Sequence, residues 1–271
     1  MDRHYFDWAA TAVPDYGSPV YQSFGGGFLY GNPSSTHREG RLAREGLEDA
    51  RRRCAAALAV PPETLYFSSG GTESNALVIL SQALKPQRAR YLCSQVEHPS
   101  VRENCLILEK LGKETGTVGV EKDGRISGGT LRRALEKYPS VRFAALMAVN
   151  NETGSLNPMG ELSAVLRAKP GAPVHFHSDL VQAIGKVPVD ITGWDLDSAS
   201  FSAHKLGGPR GIGLLYLKKP LEPLFAGGDQ EQGIRPGTEN TAGSLAMAEC
   251  LERHAPVEKF PEDMAGARRR W

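Results

Sequence analysis

Apolar residues recur at helical spacing from Arg38 to Leu58, where Leu42, Leu47, Ala50, Cys54, Ala57 and Leu58 stand among arginines and glutamates, so this stretch is predicted to form an amphipathic helix. The period changes in TLYFSSGGTESNALVILSQAL. Leu65 to Phe67 reads as a short strand, Gly70 and Gly71 as a turn, and Leu77, Leu80 and Leu84 as the apolar side of a second helix. Short apolar runs come next at ARYLCS (89–94), RFAALMAVN (142–150), VHFHSD (174–179), DSASFS (197–202) and GIGLLYLK (211–218), with the helix-like segments SGGTLRRALEKY and MGELSAVLRAK between them. Strands alternating with helices predict an α/β fold built on a mostly parallel mixed sheet flanked by helices. GIGLLYL comes too soon after the run before it for a crossover, and is predicted to return antiparallel. No internal repeat is visible, and AKPGAP (168–173) reads as an ordinary helix-to-strand loop.

Composition narrows the function classes. With 271 residues, 40% of them hydrophobic, the chain can bury a large core. A formal charge of +1 provides no whole-molecule field for nucleic acid or an anionic membrane, which leaves a small-molecule substrate as the expectation. The opening MDRHYFDWAATAV has no cationic stretch followed by an apolar run, and no later run is long enough to cross a bilayer; a cytoplasmic protein is expected. Cys54, Cys93, Cys105 and Cys250 are dispersed, with no C-x-x-C pair and no histidine at zinc-ligand spacing, so neither a disulfide framework nor a metal site is expected.

Three stretches at predicted strand ends carry candidate chemistry, because ligands of open α/β sheets gather there. In SSGGTESN, Gly70 and Gly71 admit close approach of a ligand, Thr72 offers a hydroxyl, and the helix start offers unpaired N–H groups, a combination suited to phosphate. The alternative is a helix start capped by Ser69 or Thr72, with Glu73 complementing the dipole. It is neither the triphosphate-binding nor the dinucleotide-binding glycine pattern. In HFHSDLVQAIG, Asp179 can hold a protonated ring nitrogen or cap the turn after it. In SFSAHKLGGPRGIG, Lys205 stands among small residues that leave room for a flat ring, and partial burial there lowers an amine's pKa so that it can form a Schiff base with an aldehyde. Anion cradle, acid and amine together are the parts required for pyridoxal phosphate.

Together with YFDWAAT, YGNPSSTHREG, VEHPSV, VNNETG, HSDLVQAIGKVPVD and GIRPGTEN, these stretches make the chain resemble, over nearly its whole length, the class V aminotransferase superfamily of fold-type I pyridoxal phosphate enzymes. Within it the resemblance is to the cysteine desulfurases of the kind that supply sulfur for iron–sulfur clusters. The resemblance implies a fold-type I large domain in which Lys205 links to the cofactor and later moves the substrate's α-proton. Asp179 would hold the pyridine nitrogen, Gln182 and Asn151 would lie near the ring hydroxyl, and His98 would stack on the ring and act as an acid or base. Gly71, Thr72, Ser202 and His204 would bind the phosphate, Thr238 would reach the phosphate of a neighbouring subunit in a homodimer, and Asn32 would belong to a loop closing over the substrate.

The resemblance also implies a small C-terminal domain that carries a sulfur-accepting cysteine loop and an arginine for the substrate carboxylate. The sequence ends at EDMAGARRRW, none of its cysteines occupies the matching motif, and neither Arg210 nor Arg235 can be assigned to the carboxylate. The expected organisation is an N-terminal segment (1–15), a cofactor-binding large domain (16–250) and a truncated C-terminal tail (251–271); the resemblance places YFDWAAT close to the active site, and this motif is expected to be poorly ordered. Three activities stay open: a desulfurase that takes cysteine to alanine with an external thiol or a complementing chain as sulfur acceptor; a selenocysteine lyase or β-eliminating relative; and a non-catalytic pyridoxal phosphate-binding interaction protein.

Overall fold

The computed structural model describes residues 7–14, 17, 30–85 and 89–255. Tyr5 and Phe6 of the opening motif and the GARRRW tail lie outside the described residues.

Among the described residues, seven strands form one sheet: β1 (Leu65–Ser68), β2 (Arg90–Ser94), β3 (Glu114–Val118), β4 (Val141–Ala145), β5 (His175–Asp179), β6 (Ser198–Ser202) and β7 (Gly213–Leu217). Their spatial order is β1-β7-β6-β5-β4-β2-β3. The pairs β2–β3, β2–β4, β4–β5 and β5–β6 are parallel, and β7 runs antiparallel to both β6 and β1. The return predicted for GIGLLYL is therefore present.

Successive strand residues enter opposite layers, as the pleat requires. Leu65, Phe67, Ala144, Leu214 and Tyr216 belong to one core cluster, while Tyr66, Phe143, Ala145, Leu215 and Leu217 belong to the other. The first layer receives α1 (Arg38–Leu58), α4 (Gly128–Lys137), α5 (Met159–Arg167) and α6 (Thr241–His254); the second receives α2 (Gly71–Ser81) and α3 (Pro99–Lys110). In α1 the buried stripe is Ala43, Leu47, Ala50, Cys54 and Leu58, whereas Leu42 is exposed and Ala57 only half-buried. In α2, Leu77 is buried but Leu84 is exposed, in a 3-10 turn after the helix.

Two elements are additional to the sequence patterns. β3, ETGTV, is a sheet-edge strand of which only Val118 is fully buried, so it carries no apolar run. α6 packs on α1 with a weak apolar stripe diluted by Gly243, Ser244 and alanines, and it passes through residue 250, where the sequence places a domain boundary. No helix among the described residues is long and apolar enough to cross a membrane.

Candidate active site

The parallel strands end on one side of the sheet, where the segments after β2, β4, β5 and β6 help to line a cavity of about 490 Å³. β5 ends at Asp179 and β6 at Ser202, with Asp179 paired to Ser200. A 3-10 turn, Ala203–Lys205, then brings the lysine round to the same opening. The cavity gathers Gly71, Thr72, His98, Asn151, Asp179, Gln182, Ser202, His204 and Lys205 from positions spread over nearly half the chain. Thr238 is exposed and Asn32 lies in an exposed turn, its Oδ1 accepting from the Ser34 N–H at 2.9 Å; neither lines the cavity.

One end is built for an anion. α2 begins directly after Gly70, which holds φ of +155°, a conformation that favours glycine, and no side chain caps the helix start. Capping by Ser69 or Thr72 is thereby overturned. The Glu73 carboxylate is taken up instead by the Ser69 N–H and by Arg235 Nε at 3.1 Å. The turn fits because its neighbours lack side chains: a Cβ on Gly213 of β7 would lie 2.5 Å from Gly70 Cα, and one on Gly71 would lie 2.7 Å from Val181 Cγ2. Arg210 lines an adjoining recess with Ser69–Glu73, Ser202 and His204, adding a cation to this end. Burial first, then the charges of Lys205, Arg210 and Lys186, hold the His204 ring below its usual pKa.

The other end opposes an acid and an amine. Asp179 is buried, its Oδ1 accepting from the Val181 N–H (3.0 Å) and its Oδ2 from Asn75 Nδ2 (2.8 Å). It therefore caps the turn after β5, the second of the two sequence readings of this residue, while still lining the cavity. Burial raises its pKa, opposed by those two donors and by His98 and Lys205. Lys205 Nζ donates to the carbonyls of Ala9 (2.7 Å) and Ala10 (2.8 Å). Burial lowers its pKa, with Asp179 and Asp7 opposing. Lys186, whose pKa burial and the Lys205 charge bring down to about 8, donates to Gln182 Oε1 at 2.7 Å, and Gln182 Nε2 donates to Ala9 O at 2.9 Å.

Residues 7–12 thus roof the lysine turn, a relation completed by the Ala12 N–H on His204 O at 3.0 Å. The expectation of a poorly ordered N-terminal segment does not hold for these residues, because hydrogen bonds to the lysine loop fix them. Ala9, Ala10 and Asp7 belong to the motif that the resemblance places near the site but are not among the predicted site residues: two alanines carry no chemical signal, and they act through backbone oxygens.

His98 sits over the cavity at the start of α3. Its Nδ1 meets Ser100 Oγ at 2.7 Å and the Ser100 N–H at 3.1 Å, capping the helix behind Pro99. Just before it, the buried Glu97 accepts from Ser94 Oγ (2.5 Å) and the Met147 N–H (2.8 Å), tying the end of β2 to the loop after β4.

The family profile described as aminotransferase class-V matches residues 4–258. The chain belongs to the class-V aminotransferase family. Among relatives of this class-V chain is the cysteine desulfurase IscS of Dictyoglomus turgidum, 38% identical over 255 residues, a match spanning 92% of this chain and 63% of that protein. A NifS/IcsS protein homolog of Lactobacillus delbrueckii subsp. bulgaricus is 41% identical, over 96% of this chain and 68% of that one. The chain thus spans about two thirds of the length of these curated relatives. A solved NifS-like protein superposes with a TM-score of 0.86 at 32% identity, over 93% of this chain and 70% of its own. A structure described as SspA in complex with cysteine gives 0.86 at 30% identity, over 98% and 77%. The class-V fold therefore accounts for the seven-stranded mixed sheet and its flanking helices.

Proposed function

We propose that this chain binds pyridoxal phosphate through Lys205 and acts on cysteine, releasing its sulfur and leaving alanine. The observation that carries the reading is one cavity walled by an amine of lowered pKa, a buried carboxylate held by two donors, and an uncapped helix start. The residues fit the cofactor at both ends. A phosphate ester needs free N–H groups and space close to backbone, which the uncapped helix start at Gly71 and Thr72 offers, the Gly70 N–H itself being taken by Ser68 Oγ at 3.3 Å, and a pyridinium nitrogen needs an anion beside it, which Asp179 supplies. When bound, the cofactor supplies an aldehyde for the lysine and an electron-withdrawing ring that stabilises charge left on the substrate's Cα.

The chain's own groups would then divide the work. Gly71, Thr72, Ser202 and His204 hold the phosphate. Asp179 keeps the ring nitrogen protonated, and Gln182, braced by Lys186, and Asn151 face the ring edge. Lys205 Nζ would take the proton from the substrate's Cα, and His98 would present Nε2 for a second proton transfer because Nδ1 is occupied by Ser100. Thr238 is exposed outside this cavity, which suits service to the site of a second copy in a homodimer. The relatives named cysteine desulfurase and the neighbour bound to cysteine support cysteine as substrate.

Protein supplied with pyridoxal phosphate should be yellow, lose that visible band in Lys205→Ala, and form sulfide and alanine in equal amounts from cysteine and a thiol reductant. Colourless wild-type protein with no affinity for the cofactor would refute the reading; yellow protein that releases no sulfide from cysteine would refute the substrate.

A further inference from the structure

Beneath the cavity lies a buried polar cluster centred on Asn75, a residue of α2 with no exposed surface. Its Nδ2 donates to Asp179 Oδ2 and to Ser100 Oγ, both at 2.8 Å. On the opposite side, Asn75 Oδ1 meets Ser200 Oγ at 2.6 Å and His177 Nε2 at 2.9 Å. His177 Nδ1 in turn meets Ser198 Oγ at 2.9 Å, and that hydroxyl meets His175 Nε2 at 2.7 Å.

The donor inventory gives these contacts a single direction. An ionised Asp179 only accepts, so the Asn75 amide must turn its NH₂ group towards it, and its second N–H is then committed to Ser100. Ser100 Oγ, now an acceptor, has its own hydrogen left for His98 Nδ1, which also receives the Ser100 N–H. His98 Nδ1 is thus bare and its ring proton sits on Nε2, the nitrogen not occupied by Ser100. By the same logic Asn75 Oδ1 accepts from Ser200 and from the Nε2–H of a neutral His177, whose ring burial and the charge of His175 keep unprotonated, with a pKa brought down to about 3.

We propose that Asn75 is a positioning residue which transmits the charge of Asp179 to His98, fixing through Ser100 which nitrogen of His98 carries its proton. The reading of the cavity as a pyridoxal phosphate site gives this its purpose: one side chain sets both the acid beneath the ring and the imidazole over its face. The arrangement itself concerns hydrogen bonds of the chain alone, and so can be tested without the cofactor.

The test uses full-length protein without cofactor, labelled with 15N-histidine, and long-range proton–nitrogen correlation spectra that distinguish bare from protonated ring nitrogens. Wild type should show His98 with bare Nδ1 and protonated Nε2. In Asn75→Ala the amide is gone and in Asp179→Asn its direction is released, so in both the two His98 nitrogens should move towards each other as both tautomers populate. The shift is partial, because the Ser100 N–H remains. Ser100→Ala, which cuts only the last link, should act the same way and carries the test if the buried Asn75 variant does not fold. Ser200→Ala, which leaves the amide direction intact, should keep the wild-type pattern.

Pyridoxal phosphate should bind Asn75→Ala about tenfold more weakly, the effect of one lost hydrogen bond to a charged group, while inorganic phosphate, held at the other end, binds unchanged. A proton on Nδ1 of wild-type His98, or a wild-type pattern in both Asn75→Ala and Ser100→Ala, overturns the proposal. The expected spectra from a protein that does not bind pyridoxal phosphate would instead sustain the relay and remove the cofactor reading.

Discussion

His177 lies in β5 with no exposed surface, and burial, reinforced by the charge of His175, pushes its pKa from 6.5 down to about 3. The folded protein therefore keeps this ring neutral in a range where the unfolded chain takes up a proton. The stability this group contributes is full above pH 6.5 and is lost as pH falls towards about 3, approaching about 1.4 kcal/mol per pH unit. Integrated between the two states, the loss is about 2 kcal/mol by about pH 5 and about 3 kcal/mol by about pH 4. His177→Phe removes the titration while retaining a flat ring against Phe143, whose centroid is 6.2 Å away. The variant forfeits the bonds to Ser198 and Asn75, so it should be less stable than wild type at neutral pH. Groups away from His177 titrate alike in both proteins and cancel in the comparison; its neighbour His175, held at a pKa of about 4 by burial, stays mostly neutral in the folded protein down to about pH 5. Urea unfolding across that range should show the gap between the two narrowing by about 2 kcal/mol on acidification to about pH 5. A constant gap would refute the reasoning, since it would mean that folded His177 accepts its proton as readily as an unfolded one.

Glu97 should behave with the opposite sign. Burial lifts its pKa well above 4.5 against the bonds from Ser94 and Met147, so the folded chain keeps a proton that the unfolded chain releases, and stability falls as pH rises above about 4.5. Glu97→Gln, neutral throughout, should gain on wild type between weakly acidic and weakly alkaline pH in the same unfolding assay. Gly213→Ala should destabilise the fold by about 1–3 kcal/mol, because the new Cβ meets the backbone of Gly70 and Phe201; displacement of Gly70 should also weaken phosphate binding, measured by calorimetry. Arg51 is kept charged despite its burial by Glu231, which accepts from both Nη1 and Nη2 at 2.8 Å and also from the Phe67 N–H. Glu231→Gln should therefore cost about 3–5 kcal/mol, and Arg51→Met with Glu231→Leu should cost less, as thermal unfolding would show.

The legible parts of this fold are those where a strand is buried on both faces. LYFS, HFHSD, SASFS and GLLYL stand out as short uninterrupted runs between turn residues, and all four lie in the interior or antiparallel half of the sheet. ETGTV does not stand out, because this edge strand, unlike β1 at the other edge, buries little and its pairing with β2 is made by backbone atoms. The same division runs through the site. Asp179, Ser202 and Lys205 are legible because strand ends and glycine-flanked turns announce a ligand side. Asn75 is not: it occupies the interior of a helix, and its partners arrive from Ser100, His177, Asp179 and Ser200, each at least 25 residues away. No local pattern encodes such a meeting; only the packing of α2 against the sheet creates it.

Under the proposed function, binding pyridoxal phosphate sets the site two demands that conflict if a single group has to satisfy both. Attracting a doubly charged phosphate calls for positive potential, whereas an amine that attacks an aldehyde must give up its charge. The fold separates them in space. At the phosphate end the positive potential comes from the helix start, with Arg210 in the recess beside it, and none of that depends on Lys205. Around Lys205, burial outweighs the pull of Asp179 and Asp7, and the neighbouring Lys186 amine is held down by burial and by the Lys205 charge. Asp179 can then stay near the lysine without locking it as an ammonium, because its oxygens are already engaged by Val181 and Asn75 and its charge is shared with them.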